Sequence, residues 1–226
     1  PRLALWRAPT DNDRLSGLAG RWVEQGLADL REDPAEIASQ PNVVHVDRDV
    51  VAGEVVVSHS QRFMATRGGG IHVVEVATIP PELADVARVG TVLELLPGLV
   101  EAEWFGLGPH ESYPDRKRGA LVGRWRSSID GLFVPYVMPQ EAGGRADTRW
   151  FELRDASGRG VRLEMGEPMQ VSATHQEELV ERPETIVHID AAHRGLGTAS
   201  CGPDTIEAYL VGPGTYIWEW SLQPIS

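Results

Sequence analysis

The sequence predicts an all-β fold, an antiparallel sandwich or barrel in one domain over residues 1–226. Three observations carry this reading. From residue 42 onward, β-branched and aliphatic residues alternate with polar ones in short runs bounded by turn formers. Gly (24) and Pro (16) are frequent, which favours many turns over long helices. Only residues 14–30 carry helical spacing, with Leu15, Leu18, Trp22, Val23 and Leu27 near i, i+3, i+4. A chain of many short strands is stable when two sheet faces close on one core.

Taken in order, LWRAPTDND (5–13) reads as extended chain that turns at Pro9 and Asp11-Asn12-Asp13. NVVHVDRDVV, GEVVVSHSQRFMAT and GIHVVEVATI read as three strands, with turns at Gly53 and Gly68–Gly70. TVLELLPGLVEAEWFGLG reads as the next strand and contains a Pro97-Gly98 turn. GRWRSSI, VPYVMP, DTRWFELRD, GVRLEMGE, ETIVHID and TIEAYLVG are strand-like, with ASGRG at 156–160 as a hairpin turn. In the last run, Tyr216, Trp218 and Trp220 fall on one face and Ile217 and Glu219 on the other, the alternation a sandwich core requires.

Composition excludes several roles. A net charge of −12 argues against a surface that tracks nucleic-acid phosphates. No apolar run approaches the roughly 20 residues of a membrane helix, so neither nucleic acid nor membrane is expected as a partner. Cys201 is the one cysteine, so no intrachain disulfide forms. The chain opens Pro1-Arg2-Leu3, without a methionine or a signal-peptide pattern, and reads as a piece of something longer.

Candidate chemistry concentrates in WFGLGPHESYPDRK (104–117), VPYVMPQEAGGRADTRW (134–150) and GLGTASCGPD (195–204). The first two mix aromatic faces with unlike charges, which suits either a sugar-binding surface or ion pairs bracing a sheet edge. Glu111 and Glu141 could be a carboxylate pair, but paired arginines such as Arg116, Arg145 or Arg149 are the commoner fate of half-buried carboxylates. Spacing sets Arg145 against Asp147 or Glu141. His110, presented on Gly108-Pro109, is the best candidate imidazole, although most side-chain hydrogen bonds go to backbone or water. The histidines show no metal-ligand spacing. Gly195, Gly197 and Gly202 read as a flexible loop around Cys201, and no nucleophile signature surrounds that thiol.

LWRAPTDND, WFGLGPHESYPDRK, VPYVMPQEAGGRADTRW, THQEEL (174–179) and GLGTASCGPD together resemble the last domain of lac-operon-type β-galactosidases, glycoside hydrolase family 2. The resemblance covers essentially the whole chain. It implies a galactose-mutarotase-like antiparallel supersandwich, in a cytoplasmic parent enzyme that hydrolyses terminal β-galactosides with retention. It places the catalytic glutamates on a (β/α)₈ barrel that this chain does not resemble, so no catalytic residue is expected here. The expected partners are the parent's other domains and, through its barrel, the galactoside. No cofactor is expected in this segment, while Mg and Na are expectations for the parent. The substrate-proximal residues it implies are Ser200, Cys201 and Gly202, with His110, Glu111 and Arg145 as further candidates.

Two departures stand out. Where a relative stacks a tryptophan on the aglycone, this chain has Cys201, and a thiol offers no stacking face. Cys201→Trp in the full-length enzyme is then expected to lower the Michaelis constant for lactose; an unchanged value would count against the assignment. Relatives also carry about a dozen residues between segments like QVSA (170–173) and THQEEL, which are fused here; loops of that length are commonly functional or disordered. Two other classes compete: a free-standing mutarotase-like epimerase using His110 with Glu111 or Glu141 as acid and base, and a carbohydrate-binding module.

Overall fold

The computed structural model describes residues 1–177, 180–199 and 202–226. Among these, the strands are β1 (Arg2–Ala4), β2 (Arg31–Glu32), β3 (Glu36–Gln40), β4 (Val43–Ala52), β5 (Val55–Ala65), β6 (Ile71–Ile79), β7 (Arg88–Leu95), β8 (Leu99–Gly108), β9 (Leu121–Ser128), β10 (Arg145–Asp155), β11 (Gly160–Glu177), β12 (Val180–His193) and β13 (Gly214–Ile225). Their pairings are antiparallel. The fold is all-β, as the alternation predicts.

The main hydrogen-bonded path runs β1-β7-β12-β11-β13-β6-β5-β4-β2, with β10, β8 and β9 branching from β11 and β3 from β4. The sheet curls back on itself. Thr91 of β7 donates to the Glu75 carboxylate of β6, and the indole of Trp218 on β13 donates to Thr91 at 2.9 Å. β6 and β7 are four steps apart along the path, so these contacts cross the interior between facing layers. Trp22, Val57, Val73, Leu93, Trp104, Phe151, Val171, Ile189, Trp218 and Trp220 belong to one buried cluster that draws on both layers.

Glu75 is fully buried at the middle of this core. Burial alone would raise its pKa; the hydrogen bonds from His59, Thr91 and Trp220 more than reverse that and hold it below the usual carboxylate range. Gln61 adds a fourth donor at 2.8 Å. Each of these residues sits on an inward face set by the period-two alternation. The Tyr216, Trp218, Trp220 face also points inward as expected, with Ile217 and Glu219 exposed.

Three segments depart from the sequence reading. Residues 10–25 form two short helices, α1 (Asp11–Leu15) and α2 (Leu18–Glu24), rather than a turn followed by one helix over 14–30. Thr10 and Asp13 close a capping box that starts α1 at the supposed turn. Gly17, at φ 75°, separates the helices, and Gly26, at φ 76°, follows α2. VPYVMP (134–139) is not a strand: Pro135 and Pro139 remove two ladder donors, and Val137 is fully exposed. TIEAYLVG (205–212) contains a 3₁₀ turn over Glu207–Tyr209 instead of a strand.

The β10–β11 hairpin closes as ASGRG predicts, and tightly. A Cβ on Gly160 would stand 1.8 Å from the Leu153 carbonyl oxygen and 2.9 Å from Arg154 Cα. Gly160→Ala is therefore expected to destabilise the chain by about 1–3 kcal/mol or more through backbone overpacking. Gly119→Ala, where no atom lies within 4 Å, should be nearly silent. Urea midpoints of the two variants check this; equal midpoints would show that the hairpin is not as close as described.

Candidate functional site

Four of the sequence-distant motifs converge at one end of the sheet. Arg7, fully buried after β1, donates to the carbonyls of Arg194 at 2.6 Å and Gly195 at 3.2 Å, and pairs with Asp13 of α1 at 3.0 Å. The Glu141 amide donates to the Ala8 carbonyl at 3.0 Å, and Arg14 reaches the Pro139 carbonyl at 3.1 Å. Asp115 accepts from the Leu196 amide at 3.1 Å and the Gly197 amide at 2.8 Å. LWRAPTDND, YPDR, MPQE and GLG thus brace one rim. They line a groove of about 300 Å³ formed by Thr10, Asp11, Asn12, Asp115, Arg116, Gln140, Leu196 and Gly197.

Gly195 and Gly197 have a packing reason rather than a flexible role. A Cβ on Gly195 would lie 2.7 Å from Asp115 Oδ2, and one on Gly197 3.0 Å from the same atom. Neither has a positive φ, in contrast to Gly202 at φ 110°. Arg194 then brackets the loop. Its guanidinium donates to Thr198, to Asp204 at 2.6 Å and to Asp85 at 2.8 Å, so Thr198 and Asp204 share one buried cation.

Beneath the rim lies a buried charged cluster. Arg88 bonds Glu141 at 2.7 Å and faces Asp190 at 3.4 Å; His193 stands 3.8 Å from Glu141 and tilts against the Tyr113 ring at 5.2 Å. β12 places His188 and Asp190 on one face by simple alternation. A register shift between Asp190 and Ala192, a bulge, brings His193 to the same face. Across the ladder, Gly90 opposes Asp190 and leaves room for its carboxyl: a Cβ there would meet Asp190 Cα at 2.6 Å.

The cluster's protonation follows from burial and Arg88. Burial raises and Arg88 lowers Glu141, and with the help of His193 the net result is well below the usual carboxylate range. Burial pushes Asp190 up to about 7 against the pull of Arg88. Burial, then the charge of Arg88, holds His188 down to about 3 and His193 down to about 4, from an ordinary 6.5. In mildly acid solution, the unfolded chain therefore gains two imidazole protons that the folded chain refuses. The folded chain keeps one proton on Asp190 that the unfolded chain releases. The net difference is about one proton, so this cluster makes stability fall as pH drops from about 6 to about 4.5, by roughly 1.4 kcal/mol per unit. Asp190→Asn removes the opposing proton and is expected to about double that slope. Urea midpoints across the window test it; an unchanged slope would show that Asp190 is already ionised.

Residues 1–222 match the family model described as "Beta galactosidase small chain". This chain belongs to that family. The small chain is 32% identical over 256 aligned residues to the β-galactosidase of Arthrobacter sp. (strain B7), covering 94% of itself and 25% of that protein. It is 29% identical to the β-galactosidase of Aeromonas hydrophila, covering 96% of itself and 23% of the relative. It thus spans about a quarter of the length of the curated relatives it matches. The Arthrobacter alignment is longer than the 226 residues of this chain, so that relative carries residues this chain lacks. Among solved structures, the galactosidase domain of an alpha-galactosidase-sucrose kinase aligns with a TM-score of 0.48 and 10% identity, over 87% of this chain and 28% of that one.

The residues singled out from sequence do not fall in one place. Ser200 and Cys201 lie outside the described residues, as do positions 178 and 179 of THQEEL. Gly202 is exposed, two residues before Asp204, at the bracketed end of the loop. Glu111 bonds Arg116 and Tyr136 and accepts from the Gly143 amide at 2.9 Å; Arg116 is the arginine that sequence offered it. Neither Glu111 nor Glu141 bonds His110, which is exposed on its turn.

Arg145 pairs with neither Asp147 nor Glu141. It is buried, donates to the carbonyls of Gly143 at 2.9 Å and Gly144 at 3.1 Å, and lies 4.9 Å from the centre of the Trp104 ring. Lys117 takes Asp147 at 2.9 Å and Arg88 takes Glu141. Burial lowers the Arg145 pKa to about 10. Ala173 and Thr174, where the family segment is expected, are consecutive residues of β11 paired with Val187 and Ile186. Arg88, His188, Asp190 and Arg194 are the residues that sequence reasoning missed. The available signal was a charge inside an apolar alternating run, as in VARVGTVL.

Proposed function

We propose that this small chain is the C-terminal, pocket-completing domain of a retaining β-galactosidase. It packs on a catalytic barrel carried elsewhere in the parent, and its loop around Cys201 borders the aglycone side of a bound galactoside. The convergence of the family motifs on one braced rim beside that loop is the observation that supports the reading. The chain itself contributes shape and docking rather than the acid/base or nucleophile. The parent's other domains are its partners and its location follows the parent's, expected to be cytoplasmic. No helix of the described chain is long and apolar enough to cross a membrane. The Mg and Na expected of the parent are assigned to its other domains.

Segment complementation tests this. The chain alone and the parent lacking it should each fail to hydrolyse lactose, and the two together should co-elute and recover turnover. Turnover by the isolated chain, or full activity of the parent without it, would overturn the proposal.

A further inference from the structure

The segment 134–139 holds apolar side chains in water from a fixed position. Pro135 and Pro139 lock φ and keep it out of any ladder. Between them Val137 is 100% exposed and Met138 50%. Both flanks of this ridge are anchored. On one side the Tyr136 amide donates to the Val134 carbonyl at 2.9 Å, and the Tyr136 hydroxyl donates to Glu111 and accepts from Arg116 at 3.2 Å. On the other, the Pro139 carbonyl accepts from Arg14, the Glu141 amide donates to Ala8, and buried Arg88 holds the Glu141 carboxylate. The Arg14 bond also brings α1 alongside. Leu15, 87% exposed, follows Arg14 in the chain as Met138 precedes Pro139. Single exposed apolar residues need no explanation, but here three are gathered at one anchored point. Anchoring removes in advance the ordering cost that binding would otherwise carry.

Area and charge decide what covers the ridge. Three side chains fall well short of the roughly 800 Å² per partner of a stable association between separate molecules, so the ridge alone does not hold a second copy. The rim groove beside it would have to add the rest. There Arg116 is already bound to Glu111, and Asp11 and Asp115 also line the groove. A second copy, itself of net charge −12, meets that face with like charge. The relatives point to another occupant. This chain spans about a quarter of their length, so its parent carries further surface in the same polypeptide. Interfaces between domains of one chain are modest in area and more polar than obligate ones. An apolar ridge edged by Asp11, Arg116 and Gln140 has that composition.

We propose that Val137, Met138 and Leu15 form the apolar centre of the face that docks this domain on the parent's catalytic barrel, where they enter an apolar, non-acidic socket. The inference rests on the reading of this chain as a pocket-completing domain, and it adds which surface meets the barrel.

Titration of the 226-residue chain onto the parent lacking it tests this as an affinity. Val137→Asp should weaken the association at least about tenfold, while its melting temperature stays that of the wild type because the side chain is fully exposed. Val137→Leu should bind as the wild type does. Ile217→Asp, on the 69% exposed Ile217 of β13, makes the same charge change away from the ridge and should leave the affinity unchanged. Wild-type association that Val137→Asp does not weaken would overturn the inference and leave the domain reading standing. Equal weakening by Ile217→Asp would show a general charge effect and overturn it as well. If the wild-type chain does not associate at all, both fall. Sedimentation of the chain alone is expected to show a monomer; a dimer that Val137→Asp dissociates would assign the ridge to a second copy and overturn the inference.

Discussion

Arg88→Ala is expected to unfold the chain far more readily, by about 3–5 kcal/mol, because it strands buried charge. Arg88 lies between Glu141 at 2.7 Å and Asp190 at 3.4 Å, and all three side chains are 10% exposed or less. With the guanidinium gone, Glu141 must either stay ionised in the interior or take up a proton. For a chain of this size, such a loss lowers the melting temperature by roughly 10 °C or more. The deficit should shrink toward pH 5. Without Arg88, both carboxyls have folded-state pKa values above their unfolded ones, so their protonated, tolerated form is regained as pH falls. Arg88→Met with Glu141→Leu and Asp190→Leu should recover part of the loss, since removing a whole buried ionic group is often neutral. A wild-type melting temperature for Arg88→Ala, or a deficit independent of pH, would show that the carboxylates are solvated after all.

The fold was legible in the sequence wherever alternation was the only force at work. Strands β4 to β8 follow the pattern closely because one face of each meets the core. Reading failed where a local device overrode the pattern. The Thr10–Asp13 capping box turns a run of turn formers into a helix, and two prolines keep VPYVMP out of the ladder although its composition is strand-like. The site was legible only as motifs. Their meeting at one rim depends on a sheet curling through nine strands, which no local spacing encodes. His193 joins Asp190 through a bulge, so strict alternation assigns it to the opposite face. The partners of Arg145 were misread for a similar reason. Nearness in sequence pointed to Asp147, but Asp147, at φ 53°, belongs to Lys117. The carboxylates nearest in the chain were already taken, and Arg145 turned to two backbone carbonyls and an indole ring.

The same rim gives the functional prediction with the largest effect. Asp115 accepts from both Leu196 and Gly197, and the absence of a side chain at Gly195 and Gly197 lets its carboxylate approach. Asp115→Ala should leave the sheet intact, because Arg7 still holds the Arg194 and Gly195 carbonyls and Arg194 still ties Thr198 to Asp204. Losing two charge-assisted hydrogen bonds costs about 1–3 kcal/mol. The loop, however, loses the contact that fixes its distance from the YPDR turn. A displacement of about 1 Å in a substrate-positioning element can cost on the order of 10²-fold in rate. On the proposed function, we therefore expect kcat/KM for lactose in the full-length parent to fall by roughly that factor, carried more by KM than by kcat because that proposal sets the loop beside the aglycone rather than the reacting centre. Asp115→Asn, which keeps one acceptor oxygen, should recover part of it. Amide exchange at Leu196 and Gly197 in the chain itself should quicken in Asp115→Ala. Faster exchange with unchanged kcat/KM would detach the loop from the sugar pocket, and unchanged exchange would mean that Asp115 does not hold the loop at all.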